Sequence, residues 1–132
     1  MFYIYEKSIY LYLILFTGVK MRVDKIVNLT PHPIKIIVGD KSIVVEPTSP
    51  PARLQESTEN IGSISINGID IPVIKKYLGN VSGVPEPVDG VIYIVSLPVA
   101  SAMNRKDVLA IGESIRDEKG NVIGAKSLSS FI

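Results

Sequence analysis

The sequence predicts an α+β protein that is mostly β, either a single small twisted sheet or a partly closed barrel built of hairpins, with one short helix at about residues 97–104. Three observations lead to this prediction. Short β-branched runs alternate with turns rich in Gly, Pro, Asn and Asp. The run Val91–Val95 is apolar on both faces, as in a central strand. Ser96 followed by Pro98 is typical of a helix start, with Ser96 as the N-terminal cap.

Length and composition limit the classes of function. The chain has 132 residues, which favours one domain, and it contains no cysteine, which excludes disulfides and thiolate metal ligands. Its 14 Lys and Arg balance 13 Asp and Glu, and the charges are scattered. A protein that binds duplex DNA usually carries a basic face instead. We therefore expect no nucleic-acid partner, no metal and no cofactor, and a cytoplasmic location.

Residues 1–20 differ from the rest of the chain because they hold four of the six tyrosines and the apolar run Ile9–Phe16. This apolar stretch is shorter than the roughly 20 residues that cross a bilayer as a helix. Three interpretations remain open: an upstream extension read from a misplaced start, with the working protein beginning at Met21; an added strand or interfacial segment; and a membrane anchor. A membrane partner is expected only if the segment is real and interfacial. Residues 21–132 are predicted to form a single globular β-rich domain.

The most distinct local signal is a hairpin over Ser63–Ile71. Asn67-Gly68 supplies both positive-φ positions of a type I′ turn. Pairing of Ile66 with Ile69 across this turn divides the side chains between two faces, because successive residues of a strand point to opposite sides. One face carries Ile64, Ile66, Ile69, Ile71 and Val73, and the other carries Ser63, Ser65 and Asp70.

The other segments follow the same turn chemistry and alternation. Gly39-Asp40-Lys41 is predicted to join two strands in a hairpin, and Asp117–Gly120 is predicted to do so near the end of the chain. Gly79–Gly90, with three Gly and two Pro, is predicted to be a loop. The predicted strands are Met21–Leu29, Ile34–Val38, Ser42–Val45, Ala52–Gln55, Glu113–Asp117 and Asn121–Lys126, with Ile74–Leu78 a candidate extension of the Asn-Gly hairpin and Ser127–Ile132 a tail.

Several short motifs occur in the same order as in one known family. The first is the N-L-T-P-H-x-I motif, Asn28 to Ile34. The others are Ala52-Arg53, the G-x-P-x-P loop Gly83–Pro87, the strand Tyr93–Ser96, the segment Arg105–Val108 and the closing hairpin Arg116–Gly124. With these motifs, between about Val27 and Leu128, the chain resembles an uncharacterised family of small proteins encoded by tailed phages, prophages and related bacterial or archaeal loci. The resemblance implies a viral or mobile-element origin and an accessory role, and it implies no reaction. If the protein is viral, the expected cytoplasmic location is that of the host cell.

Arginine placement gives the candidate binding site. Arg53, Arg105 and Arg116 are three of the four arginines in a chain that otherwise uses lysine. The planar guanidinium binds carboxylate or phosphate well, so three converging arginines would form an anion pocket. The alternative is that Arg105 pairs with Asp107, and Arg116 with Asp117 or a cross-strand acid, as ordinary surface ion pairs. The candidate ligand-binding residues are Arg53, Ser96, Asn104, Arg105, Asp107 and Arg116.

The sequence predicts no catalytic residue and no metal site. His32 is the only histidine and lies between two prolines, which suits an exposed or structural role. Ser96 lacks the flanking glycines of a nucleophile elbow and fits a helix cap better. Asp107 and Asp117 are the carboxylates available for a catalytic or Mg²⁺ pair, but turn chemistry accounts for both.

Three functions remain open. The first, which we favour, is a non-enzymatic accessory binding module of viral or mobile-element origin that engages a host or viral protein or a small anionic, nucleotide-like ligand. The second is a structural or assembly protein that self-associates through strand edges as a homo-oligomer. The third is a small enzyme acting on a phosphate-containing ligand, with the three arginines binding it and Asp107 or His32 as acid/base. Arginines converging on a deep pocket favour the first and third functions, and a large exposed apolar patch favours the second.

Overall fold

The computed structural model of the protein describes residues 22–48 and 50–132. The predictions for residues 1–20 lie outside these ranges. In the described ranges the fold class is α+β and mostly β, as predicted, with one short helix. The strands are distributed over three sheets, and none of these sheets closes into a barrel.

Strands β1 (Lys25–Asn28), β6 (Val91–Ile94), β7 (Val108–Ile111) and β10 (Leu128–Ser129) form the central sheet, in the order β1-β6-β7-β10. Both neighbours of β6 run parallel to it, whereas β10 runs antiparallel to β7. Helix α1 (Leu97–Ala102) connects β6 to β7 and packs against β7. The strand predicted to be central therefore is central, and the predicted helix is confirmed.

The hydrophobic core covers both faces of β6. Tyr93 is 4% exposed on one face, and Ile92 and Ile94 are 4% and 0% exposed on the other. A parallel strand that is covered on both sides needs apolar side chains at every position, which explains the continuous apolar run. The residues that pack with Tyr93 come from the strand ends, the helix and β7: Leu29, Ala52, Val95, Val99, Ala100, Val108 and Ala110.

Strands β2 (Ile34–Val38), β3 (Lys41–Val45), β8 (Ser114–Arg116) and β9 (Val122–Ala125) form a second sheet, in the order β3-β2-β9-β8. Both of its hairpins, β2–β3 and β8–β9, were predicted from their turns. The hairpins join through parallel pairing of β2 with β9. That contact is distant in sequence and carries no local signal.

Strands β4 (Arg53–Ile66) and β5 (Ile69–Ser82) form a two-stranded antiparallel ribbon, each strand 14 residues long. We call this ribbon the arm. Its turn is as predicted, because Ile66 pairs with Ile69 and the turn residues Asn67 and Gly68 have φ values of 50° and 76°.

The arm is longer than the predicted hairpin. The segment Ala52–Gln55 is the beginning of β4 and not a separate short strand, and β5 runs through Ser82 into the region predicted as the loop Gly79–Gly90. Backbone pairing of Arg53 with Ser82 joins the two strands at the end of the arm farthest from its turn, and we call this end the root of the arm. Gly79 lies at a register irregularity between the Leu54–Val81 and Glu56–Leu78 pairs, a place in a strand where glycine is common, and the strand continues beyond it.

Two segments near the end of the chain also differ from the prediction. Val108–Ile111 was not assigned and is the strand β7, and Leu128–Ser129, within the predicted tail, is the edge strand β10. The N–H of Gly112 donates to the carbonyl of Ser127 at 2.8 Å, which continues the β7–β10 ladder. Both strands are short, and their extended conformation depends on pairing partners that are distant in sequence.

The start of α1 corrects one detail of the prediction. Ser96 occupies the N-cap position, but its side chain makes no capping hydrogen bond. Its main-chain carbonyl accepts the first helical bond, from the N–H of Ala100 at 2.9 Å. Pro98 in the first turn has no N–H to satisfy, so this helix needs less capping than most. No helix in the described ranges is long and apolar enough to cross a membrane.

Candidate functional site

A shallow cleft of about 310 Å³ opens where β1 and β6 end. The two strands are parallel, so their carboxyl ends meet at one edge of the central sheet, the edge at which ligands bind in open α/β sheets. The turn after β1, the start of β4 and the start of α1 form its walls. Its lining includes three prolines and four polar side chains, namely Pro31, Pro51, Pro98, Thr30, Arg53, Glu56 and Ser96.

Two of the six predicted ligand-binding residues, Arg53 and Ser96, line this cleft. The N–H of Ala52 donates to the carbonyl of Leu29 at 2.9 Å, which places Arg53 beside the end of β1. Ser96 lies at the same edge because it follows β6. Within residues 22–48 and 50–132, neither the guanidinium of Arg53 nor the hydroxyl of Ser96 has a hydrogen-bond or ion-pair partner. Both groups are therefore available to a ligand.

Arg105 and Asp107 lie elsewhere, in the turn that precedes β7. Arg105 donates from Nε and Nη2 to the two carboxylate oxygens of Asp107, at 3.0 and 2.7 Å, and from Nη1 to the carbonyl of Pro85 at 2.8 Å. Its guanidinium also lies 5.9 Å from the centre of the Tyr93 ring. These contacts tie the loop after β5 to the central sheet, and they occupy the groups that an anionic ligand would need.

Arg116 and Asn104 are also outside the cleft. Arg116 belongs to β8 of the second sheet, and its Nη1 donates to the carbonyl of Gly120 at 2.8 Å. Asp117 accepts the N–H groups of Lys119 and Asn121 at Oδ1, at 2.9 Å each, as a turn residue does. Asn104 is exposed after α1. Of the three arginines, the cleft contains Arg53 alone. The predicted ion pair of Arg105 with Asp107 is present, whereas the predicted pairing of Arg116 with an acidic side chain is wrong within the described residues, because Arg116 donates to the carbonyl of Gly120 instead.

The N-L-T-P-H-x-I motif contains a buried set of hydrogen bonds around the Asn28 side chain, which the sequence did not predict. We call this set the bracket. Asn28 is 0% exposed, and its side chain makes four hydrogen bonds. Its Nδ2 donates to the carbonyls of His32 and Val45 at 2.8 and 2.9 Å, and its Oδ1 accepts the N–H and hydroxyl of Thr30 at 2.9 and 2.7 Å. The bracket closes the turn after β1 and fastens it to the end of β3. The available signal was an asparagine at the end of a predicted strand, two residues before Thr30-Pro31.

The outer part of the arm presents an apolar face. Alternation along β5 and its register with β4 place Ile64, Ile66, Ile69, Ile71 and Val73 on one side, as predicted, and we call this set the isoleucine face. The four isoleucines are 46–62% exposed. The sequence pattern identified the face, but whether other residues cover it is a tertiary property.

Nearer the root of the arm, the same side of the ribbon becomes polar. Tyr77 donates its hydroxyl to Oε2 of Glu59 at 2.8 Å, and Nζ of Lys75 lies 5.1 Å from the Tyr77 ring centre. The hydrogen bond to Glu59, and to a lesser extent desolvation, raises the pKa of Tyr77 above its usual value, because the neutral phenol is the donor. This side of the arm is therefore apolar in its outer half and polar in its inner half.

The described residues contain no group of three or more His, Asp or Glu side chains that could hold a metal ion. No family model, curated protein or solved structure matches the chain.

Proposed function

We propose that the protein is a non-enzymatic structural or assembly protein, of the viral or mobile-element origin that its motifs imply, and that the arm is its contact element. One observation carries this proposal: the isoleucine face is about half exposed at the end of a 14-residue ribbon. Exposed apolar patches with polar surroundings are typical of protein–protein interaction sites. Asp107, an acid/base candidate of the catalytic alternative, is held by Arg105, which argues against that alternative.

The arm lacks the packing that usually stabilises a ribbon. Every residue from Gln55 to Pro72 is exposed, so the rest of the described chain covers neither face of the outer arm. A two-stranded hairpin without further packing is marginally stable in water. A partner that covers the isoleucine face removes its apolar side chains from water and thereby stabilises the ribbon. Binding of the partner and ordering of the arm are therefore coupled.

The contact surface is the face of the ribbon and not its edges. Pro72 lies opposite Ser63, in a pair that does not exchange hydrogen bonds, so its nitrogen faces outward and the free edge of β5 lacks a donor there. Lys75 and Lys76 add charge to the same strand, and a bulge at Ile61 interrupts β4. Proline, lysine and bulges are the features that prevent edge-to-edge pairing.

The chemistry of the face favours a protein partner. Between Ile61 and Ile74 the arm has one charged residue, Asp70, which lies on the side opposite the isoleucine face. A nucleic-acid partner would require basic side chains at this place. A lipid partner would leave the unpaired backbone groups of both edges without hydrogen bonds in hydrocarbon. An apolar protein surface that covers only the isoleucine face needs no basic side chains and leaves the backbone groups of both edges in contact with water.

The proposal is tested with a photo-crosslinking amino acid at Ile66 in the full chain, expressed in its native cell. We expect a covalent protein adduct after illumination. The matched control places the same amino acid at Ser65, one residue away on the opposite side, and we expect much less adduct there. Absence of an adduct at Ile66, or equal yields at the two positions, would argue against the arm as a contact element.

The cleft supports a second candidate function, the binding of a small anionic ligand. The supporting observation is that the Arg53 guanidinium and the Ser96 hydroxyl share the cleft and have no partner among the described residues. Inorganic phosphate and nucleotides are the probes. A ligand at 100 times its dissociation constant adds about 2.7 kcal/mol to the free energy of unfolding. A stabilisation that is lost in Arg53→Ala and kept in Arg116→Ala would support this function, and no stabilisation by any probe would exclude it for these ligands.

A further inference from the structure

We infer that the partner of the arm is the arm of a second copy of this chain, with the two isoleucine faces packed against each other about a two-fold axis. This inference rests on the proposed function and names its partner. Three features of the arm support it: the symmetry of the face, its charge balance and its dimensions.

The isoleucine face is nearly symmetric within one arm. The residues around the turn read Ile64-Ser65-Ile66-Asn67-Gly68-Ile69-Asp70-Ile71, and the register pairs Ile66 with Ile69 and Ile64 with Ile71. The surface is therefore a small block of four like side chains. A two-fold dimer needs one patch that is complementary to itself, and like β-branched side chains interdigitate in this way between stacked sheets.

The charges of the arm allow two copies to approach. Residues 53–82 contain three basic and three acidic side chains, namely Arg53, Lys75 and Lys76 against Glu56, Glu59 and Asp70. The arm is thus neutral by this count, and a second arm meets no net repulsion. Two of the acids already have neighbours of their own, since Glu56 pairs with Lys76 at 3.7 Å and Glu59 accepts the hydroxyl of Tyr77.

The dimensions decide how the two arms align. At about 3.3 Å per residue a 14-residue strand is about 46 Å long, and a ribbon about 10 Å wide then has a footprint of about 450 Å². A stable interface uses about 800 Å² of accessible surface on each partner, and the accessible surface of a pleated face with protruding side chains is larger than its flat footprint. Overlap of the tips alone covers less than half of the footprint, which is far below this size. We therefore expect the arms to pack face to face along their whole length, tips at the same end, so that isoleucine meets isoleucine and the polar inner halves form the rim.

Sedimentation of the purified full chain over a wide range of concentrations tests the inference. We expect a monomer–dimer equilibrium. In Ile66→Glu the dissociation constant should rise by about 100-fold or more, because the symmetry puts two unpaired carboxylates into an apolar contact. The matched control is Ser65→Glu, which adds the same charge on the opposite side and should leave the dissociation constant nearly unchanged. We call the described residues outside the arm the body. An unchanged melting temperature of the body, measured at a concentration at which the proteins are monomeric, confirms that each variant folds.

Single cysteines test the alignment, because the chain has none of its own. Ser57→Cys lies on the isoleucine side of the inner arm, opposite Tyr77, and Thr58→Cys lies on the other side. Facing sheets lie about 10 Å apart, which is too far for a direct disulfide but within reach of a short bismaleimide crosslinker. We expect an intermolecular crosslink in Ser57→Cys and much less in Thr58→Cys. Equal crosslinking at both positions would overturn the face-to-face arrangement.

The outcomes separate this inference from the proposed function. A chain that is monomeric at every concentration, or a dimer with equal affinity in the two glutamate variants, overturns the second copy as partner. If the Ile66 photo-crosslink in the native cell then joins a different protein, the arm remains a contact element. If the purified chain is monomeric and no adduct forms in the cell, both the inference and the proposed function fail.

Discussion

The guanidinium of Arg105 binds the carboxylate of Asp107 through two parallel hydrogen bonds, with side chains that are 22% and 11% exposed. Its third contact, to the carbonyl of Pro85, crosses to the loop after β5. One side chain thus connects two segments that are 20 residues apart in the chain. This geometry gives the R-x-D motif that contains Arg105 and Asp107 a role in stabilising the fold, and it leaves neither side chain available to bind a ligand.

Arg105→Ala should lower the free energy of unfolding by about 3 kcal/mol, because it leaves a mostly buried carboxylate without its partner. Arg105→Lys should recover part of this loss, since lysine keeps the charge and lacks the two-pronged geometry. Urea denaturation measures both. The control is Arg116→Ala, which removes one exposed hydrogen bond and should cost about 0.5 kcal/mol. Equal losses for the two alanine variants would contradict the structural role of Arg105.

Asn28→Ala should be among the most destabilising polar substitutions, at about 3 kcal/mol, because it removes four hydrogen bonds and leaves main-chain carbonyls at a buried site without donors. Urea denaturation again gives the value. Asn104→Ala is the control, because Asn104 is exposed and should change stability by about 0.5 kcal/mol or less. A loss below about 1 kcal/mol at Asn28 would show that water replaces the bracket.

The pKa of Tyr77 gives a pH-dependent readout of the inner arm. The folded-state pKa is raised, with the hydrogen bond to Glu59 as the main cause, so this contribution to stability is complete below the unfolded-state pKa and is lost as the pH rises through the folded-state pKa. An NMR titration of the Tyr77 ring should therefore reach its midpoint above that of a model tyrosine. In Glu59→Gln the midpoint should move down. Identical midpoints in the two proteins would show that the hydrogen bond is not maintained in solution.

Hydrogen exchange should separate the body from the arm. Amides of β6 and its neighbours, such as Val95, whose N–H donates to the carbonyl of Leu109 at 2.9 Å, should exchange slowest. In dilute Ile66→Glu protein, amides near Asn67 should exchange fastest among the strands, because nothing packs on either side of them. In the unsubstituted chain, their protection should increase with concentration. Equal protection of arm and β6 in the dilute variant would contradict a free arm.

Local rules accounted for the turns and for the faces of the strands. The positive φ values of Asn67 and Gly68, the hairpin at Gly39 and the turn at Asp117–Gly120 were predictable because each depends on the backbone preferences of a few adjacent residues. The apolar run Val91–Val95 similarly indicated a strand covered on both sides. For the site, the sequence selected Arg53 and Ser96, which share the cleft, together with four residues that do not line it.

The tertiary structure alone decided which strands pair and what remains uncovered. The parallel pairs β1–β6, β6–β7 and β2–β9 join segments that are distant in sequence, and their stability comes from burying apolar surface between them, which no local pattern encodes. The same holds for one contact of Arg105. Its pairing with Asp107 was an alternative that the sequence offered, whereas its hydrogen bond to the carbonyl of Pro85 depends on how the loop after β5 folds. The isoleucine face was predictable from the sequence by alternation, whereas its exposure depends on where the rest of the chain packs, and the described residues outside the arm leave this face uncovered.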